Sequence, residues 1–412
     1  MRKKKETPDT LKAIEPSLIL FPWSFNIKCY ILLVLGILFY GNSILNKYAL
    51  DDSIAIERND YVQKGISGIG KILTTDSYDS FYRQMGADSK AQYSGGRYRP
   101  LSLVSFAIEQ SLFGNSPLIR HLVNILAYLC CILVVFYFLN EYLLKKLPNA
   151  GDVAFLSMLL FTIHPIHTEV VANIKSLDEI LSLTLITSTF IFSLRYIADK
   201  KMGDLIIALG CFFLSLLAKE YAITLIVLLP LLFYLVGDKK PIEAIKNSIP
   251  FYGIVAIYLG MRINAVGIPH TLPANDPLVD PFLFATHTQK IATEWWALGH
   301  YIEMLFFPYP LSCDYSFSAI PYHNFSQPSV WFGIVLFISV IIWATIEFFK
   351  KSTIAFVLLF FLAYIALISN FVLDLGAILG ERLLFHSSLA FVIILSYYIL
   401  PCQYKASRYR GD

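Results

Sequence analysis

Asp51 and Asp52 follow directly on the first long apolar run, and two adjacent acids at that point could supply a general base. Neighbouring residues on a helix point about 100° apart. One acid can therefore face a cavity while the other caps a helix beginning in Ser53–Arg58. A carboxylate partly desolvated at a membrane edge has a raised pKa and takes a proton from a hydroxyl readily. The bland alternative is a solvated loop acid.

His164, His167 and Glu169 lie within six residues, and such a set could bind a metal. Pro165 breaks the i,i+4 spacing of a zinc-protease helix, so substrate contact, or a polar turn closing a span end, competes with metal. Lys219-Glu220 and Glu381-Arg382 are charged pairs set between apolar runs with almost no spacer. Cations at span ends need partners. Phosphate is one candidate for Lys219 and Arg382, and with less weight for Lys175. Ion pairs with the neighbouring acids Glu220, Glu381 and Asp178 are the other. Asp314 and Tyr315 sit in a turn-rich stretch, Pro308–Ser316, which reads as loop architecture or as pocket wall.

The elements that must position these groups are membrane helices. The chain has 412 residues, 56% hydrophobic and 15% charged, with a mean hydropathy of +0.60. A soluble domain carries about 25% charge. A net charge of +3 gives no reason to expect a nucleic-acid partner. Of the six cysteines, five lie in or beside apolar runs and only Cys313 in a polar loop, so neither a disulfide framework nor a zinc site is visible. No P-loop, dinucleotide-binding glycine motif, HExxH or GxSxG occurs.

Apolar runs fall at 27–47, 118–140, 152–164, 178–197, 204–217, 221–236, 249–266, 291–308, 330–349, 354–373 and 383–400. None alternates like a strand, so the expected fold is an all-α polytopic membrane protein of about 10–11 transmembrane helices. Residues 1–26 form an N-terminal segment, 27–400 one membrane domain, and 401–412 a tail. The first apolar run is expected to be retained as a span. The Lys and Arg clusters place the N-terminus in the cytoplasm, and segments 51–116 and 265–329 on the opposite side. Whether 291–308 crosses or lies in the interface decides ten against eleven.

These pieces resemble a known family. The run from Asp51 to Asn59, GGRYRPLSLVSF (95–106), RHLVNILAY (120–128), IHPIHTEVVANIKSLDEILSL (163–183), AKEYAITL (218–225), FFPYPLSCDYS (306–316) and GERLLFHSSLAF (380–391) are similar, in this order, to the transmembrane and tetratricopeptide-repeat O-mannosyltransferases. The resemblance implies a GT-C-type bundle whose long first external loop carries amphipathic helices. It also implies transfer of a mannose-like hexose from a polyprenyl-phosphate donor to a hydroxyl acceptor, protein or glycan. The transfer would invert the anomeric centre, on the extracytoplasmic face of a bacterial inner membrane or the endoplasmic reticulum.

Asp51 or Asp52 would then be the base. Lys219 and Arg382, with Arg97 and Arg99 in reserve, would hold the donor phosphate. His164, His167, Glu169, Glu220, Asp314, Tyr315 and Glu381 would line the pocket. Basic side chains that neutralise a single phosphate call for no cofactor and no metal, although pyrophosphate donors in the superfamily use a divalent ion. The family's repeat array is missing from these residues, which leaves the acceptor open, and His386 departs from the family pattern. A sugar-lipid transporter or flippase would put charge at the midplane and show repeated halves; no repeat is visible here. A non-catalytic subunit of a glycan-assembly complex is a third reading, and it would tolerate change at Asp51 and Lys219.

Overall fold

The computed structural model describes residues 19–86, 96–147, 149–267, 280–315, 319–372 and 375–408. The basic cluster at residues 2–5, the glycine at 95, the arginine at 410 and, within segment 265–329, residues 268–279 and 316–318 lie outside them. Among the described residues there is no strand.

Among the described residues, twelve helices of eleven residues or more make the frame. They are α1 (Phe25–Tyr40), α2 (Pro100–Phe113), α3 (Pro117–Phe138), α4 (Ala150–Ile163), α5 (Leu177–Asp199), α6 (Met202–Ala218), α7 (Leu225–Leu235), α8 (Pro241–Val266), α9 (His287–Phe306), α10 (Pro328–Phe349), α11 (Thr353–Leu367) and α12 (Phe385–Arg408). Proline opens α2, α3, α8 and α10. It costs nothing there, because the first N–H groups of a helix have no partner within it. Thr286 starts α9 with a capping box closed by Gln289. Gly114 and Gly267 end α2 and α8 with φ of 69° and 86°, a conformation that glycine reaches without strain.

Each apolar run read from the sequence coincides with a helix. Among the described residues, six helical stretches are long and apolar enough to cross a membrane: Phe25–Leu45, Pro117–Leu143, Ile174–Asp199, Pro241–Val266, Pro328–Phe349 and Glu381–Leu400. A seventh is the pair Ala150–Ile163 and Pro165–Ala172, bent by 55°. The bend falls at Pro165, whose ring and missing N–H forbid a continuous helix. Met202–Ala218, Glu220–Leu235 and Thr353–Leu367 are apolar but shorter. A 17-residue helix is about 25 Å long, less than a hydrocarbon core of about 30 Å. The helix over 291–308, α9, carries Glu294, His300 and Glu303 and is not among the stretches of span character.

The helices pack around one apolar core to which α3, α5, α7, α8, α11 and α12 contribute most. The closest partners are α5 with α6, α9 with α10, α3 with α5, and α4 with α12. Residues 51–86 and 96–113 build a second, smaller core. Short helices at Asp60–Gln63, Ile69–Ile72 and Asp79–Gln84 lie with α2 over Ile56, Val62, Ile72, Leu103 and Phe106. The same core includes Ile174 and Leu177 at the start of α5. The helical first loop expected from the resemblance is thus present, seated on the end of α5.

Candidate active site

The first span ends at Leu45, and Asp51 and Asp52 part company at once. Asp52 is fully buried. Its Oδ2 accepts from the Ala49 N–H at 3.0 Å and its Oδ1 from the Lys175 N–H at 2.8 Å. Burial pushes its carboxyl above the ordinary value, against the pull of those two hydrogen bonds. Asp52 is thereby a tie between the turn at 49–52 and the strand-free link before α5. Asp51 keeps about a third of its side chain exposed and meets Arg382, with 3.2 Å from Oδ2 to Nη1. The raised pKa expected of an acid at this edge is not found at Asp51. Burial opposes ionisation there too, but Lys175, Arg382 and Arg97 outweigh it and hold the carboxyl below its usual value.

Arg382 reaches this place because Gly380 is extended and Glu381–Leu384 forms a short 3₁₀ turn. Successive side chains on such a turn diverge by about 120°. Arg382 therefore points to Glu169 as well, with Nη1–Oε1 at 3.1 Å and its backbone N–H donating to Oε2 at 3.0 Å. Glu381 points elsewhere and accepts from the Ser312 N–H at 2.5 Å and the Tyr315 hydroxyl at 3.0 Å. Asp314 lies exposed on that same loop.

Residues 76–78 run beside 97–99 and set the two remaining arginines. Asp76 accepts from the Arg97 N–H at 2.6 Å, the Ser77 N–H donates to the Arg97 carbonyl at 2.8 Å, and the Arg99 N–H donates to Ser77 Oγ at 3.0 Å. Arg99 then binds Glu220 through Nε and Nη2 at 2.7 and 2.5 Å, and Asp178 through Nη1 at 3.0 Å. Two parallel N–H bonds to one carboxylate make a rigid fork. Lys175 Nζ shares the same Asp178 oxygen at 3.1 Å. Arg97 lies over the Tyr78 ring, 5.1 Å from its centroid, and has no carboxylate at ion-pair distance among the described residues. A narrow cavity of about 10 Å³ between these groups is lined by Tyr78, Arg97, Arg99, Lys175 and Asp178 together with Ala55.

The neighbouring-acid pairings read from the sequence hold only for Lys175 with Asp178. Lys219 is 2% exposed and turns from Glu220 to Glu179, whose other oxygen is 3.4 Å from His386 Nδ1. Its backbone is extended (φ −156°, ψ 135°), which sends adjacent side chains to opposite sides. Its ammonium, paired and 4.2 Å from the Tyr221 ring centroid, belongs to a buried layer beneath the Asp178 cluster. His164 and His167 also turn inward. The Ile166 N–H donates to His164 Nδ1, which leaves Nε2–H to donate to the Leu305 carbonyl at 3.0 Å. His167 is fully buried between Ser388 Oγ at 2.8 Å and the Tyr128 hydroxyl at 3.3 Å. No group of three or more His, Cys, Asp or Glu among the described residues is arranged to hold a metal. Asp178 and Glu179 were not singled out as site residues in the sequence; their adjacency, like that of Asp51-Asp52, was the available signal.

One rim, partly exposed at Asp51, Glu220 and Arg382 and buried at Asp178 and Lys175, thus gathers Asp51, Glu169, Asp178 and Glu220 with Arg97, Arg99, Lys175 and Arg382, drawn from six separate stretches of chain. Residues 100–264, which carry much of this framework, match the family model described as dolichyl-phosphate-mannose-protein mannosyltransferase. The chain is similar in sequence to proteins named protein O-mannosyl-transferases. It is 34% identical to protein O-mannosyl-transferase TMTC1 of Mus musculus over 152 residues, 37% of this chain and 15% of that protein. The human TMTC1 match has the same identity and covers 16% of its length. The human TMTC2 match is 26% identical over 307 residues, 70% of this chain and 35% of TMTC2. The chain therefore spans between about a seventh and a third of the curated relatives it matches. No solved structure matches it.

Proposed function

We propose that the chain is a membrane glycosyltransferase of GT-C type. It moves a mannose-like hexose from a polyprenyl phosphate to a hydroxyl acceptor, protein or glycan, on the extracytoplasmic face. The meeting of Asp51 with Arg382, beside three further cations, carries the reading.

In this mechanism Asp51 accepts the proton of the acceptor hydroxyl as its oxygen attacks the anomeric carbon. The bond from that carbon to the phosphate oxygen breaks, and its electron pair stays with the phosphate. Positive charge grows on the sugar ring and negative charge on the leaving group. Cations placed at the leaving group are worth most when they lower the energy of that developing charge. Arg97, which has no carboxylate at ion-pair distance among the described residues, and Arg382, which can exchange Asp51 for phosphate, are the leading contacts. Arg99 and Lys175 hold the wall behind them. Lys219, buried against Glu179, contributes through its charge near Asp178.

The same exchange adjusts the base. While Arg382 faces Asp51, the carboxylate is held ionised but weakly basic. Once the guanidinium engages a phosphate, the carboxylate loses part of that stabilisation and its affinity for the incoming proton rises. Glu381 holds the 311–315 loop through Ser312 and Tyr315, and Glu169 holds Arg382. Purified protein offered polyprenyl-phosphate mannose and a panel of hydroxyl acceptors tests the reading. Mannosyl transfer that disappears in Asp51→Asn supports it; donor binding with no transfer to any acceptor, or equal turnover in Asp51→Asn, overturns it.

A further inference from the structure

The turn that carries Asp51 is held in a conformation its own sequence disfavours. Leu50 has φ of +50°, the left-handed region, where a Cβ crowds the following carbonyl. Leu50 is itself 52% exposed, so its own packing does not hold it there. The restraint comes from both flanks. On the C-terminal side, Asp52 closes the turn through the Ala49 N–H and fixes it to the Lys175 N–H. On the N-terminal side stands Tyr48. Its hydroxyl donates to Asn115 Oδ1 at 2.7 Å and accepts from Nη1 of Arg120.

Arg120 is the largest fully buried side chain of the protein's described residues, with 1% exposure. Besides Tyr48, its guanidinium donates to Asn115 Oδ1 at 3.0 Å and to Gln110 Oε1 at 2.9 Å, and its Nε lies 3.8 Å from Glu109. Its Cζ is 5.5 Å from the Tyr48 ring centroid. Burying a guanidinium is costly unless its donors are used, and here they grip the α2–α3 connection and the residue three before Asp51. Strained residues of this kind persist where the surroundings over-determine them.

We propose that Arg120 is a positioning residue: through Tyr48 it keeps Leu50 left-handed, and so aims Asp51 at Arg382. Without that grip, Leu50 relaxes to negative φ and the carboxylate swings off the cluster. Glycine at position 50 pays no such penalty, and a chain with glycine there needs the clamp far less. The catalytic consequence rests on Asp51 being the base; the geometry does not.

Two measurements separate these. The first is crosslinking of an Asp51→Cys and Arg382→Cys pair by a short bifunctional thiol reagent, with the six native cysteines replaced. Tyr48→Phe and Arg120→Lys should each slow it about five- to thirtyfold, the factor that a left-handed penalty of this size implies. Adding Leu50→Gly to Tyr48→Phe should restore most of the rate. Where Arg120→Lys does not fold, Tyr48→Phe, which removes one oxygen, decides alone. Wild-type crosslinking in Tyr48→Phe, or no recovery on adding Leu50→Gly, overturns the proposal. The second is transfer with Asp51 intact. A fall in kcat at unchanged donor KM in Tyr48→Phe, recovered by Leu50→Gly, supports it. If the crosslinking behaves as expected and no variant shows transfer, the sugar-transfer reading has failed and the positioning role stands.

Discussion

Arg382 Nη1 stands 3.2 Å from Asp51 Oδ2 and 3.1 Å from Glu169 Oε1, so one guanidinium bridges the first loop, the bent α4 segment and the start of the last span. Arg382→Lys keeps the charge but loses the planar fork. It should lower kcat/KM for the donor about 10- to 100-fold and leave the fold intact, read by steady-state kinetics beside thermal unfolding. An unchanged kcat/KM removes Arg382 from the site.

Asp51 and Asp52 should separate cleanly. Asp51→Asn should cost about 10²- to 10⁴-fold in transfer, the usual worth of a positioned base, with little change in stability. Asp52→Asn should instead cost about 1–3 kcal/mol of stability, since an amide has one oxygen for two buried N–H donors. Unfolding curves and transfer assays on the same preparations make the comparison, and the reverse pattern would exchange the two roles.

The acid dependence of the free enzyme follows from Asp51. Its folded pKa is depressed, chiefly by Lys175, Arg382 and Arg97 acting against burial. The stability this gives is complete above the unfolded value of about 3.9 and is lost as pH falls through the lower folded value. The acidic limb of kcat/KM should therefore lie below the ordinary carboxylate range. Arg97→Ala should move it upward. A limb near pH 6 in the wild type, or no movement in the variant, contradicts the assignment.

Lys219 and Glu179 are a buried pair. Lys219→Met alone strands the Glu179 carboxylate and should cost about 3–5 kcal/mol, whereas Lys219→Met with Glu179→Leu should recover most of it. A double-mutant cycle by denaturant unfolding in detergent measures the coupling. Full stability of Lys219→Met would show that the ammonium is not held there.

The α9–α10 crossing depends on two glycines. A Cβ on Gly333 would stand 2.1 Å from the Trp295 carbonyl oxygen and 3.3 Å from the Gly299 nitrogen, both backbone. Gly333→Ala must therefore push the helices apart, and should cost about 1–3 kcal/mol as overpacking does. Unfolding midpoints beside those of Gly253→Ala, where a Cβ meets nothing within 4 Å, give the test.

Much of the frame was legible in the residues. Every apolar run became a helix, Pro165 bent the one it interrupts, and prolines at 100, 117, 241 and 328 marked the helix starts. Lys219 and Arg382 were legible as cations at span ends, each beside an acid. Their true partners were not. Neighbours in sequence suggested Lys219 with Glu220 and Arg382 with Glu381; the fold gives Glu220 to Arg99 and Glu381 to Ser312 and Tyr315.

Sequence by itself determined that this is a helical membrane protein with acids and cations stationed at span ends, because hydropathy and charge are local properties read within a window of about 20 residues. Which acid faces the rim and which ties the loop was decided by tertiary structure alone. Extended and 3₁₀ backbone at Lys219 and Glu381 turns adjacent side chains away from each other, and ionic partners are then chosen by distance in space, through the 1/r fall of Coulomb energy, rather than by separation along the chain.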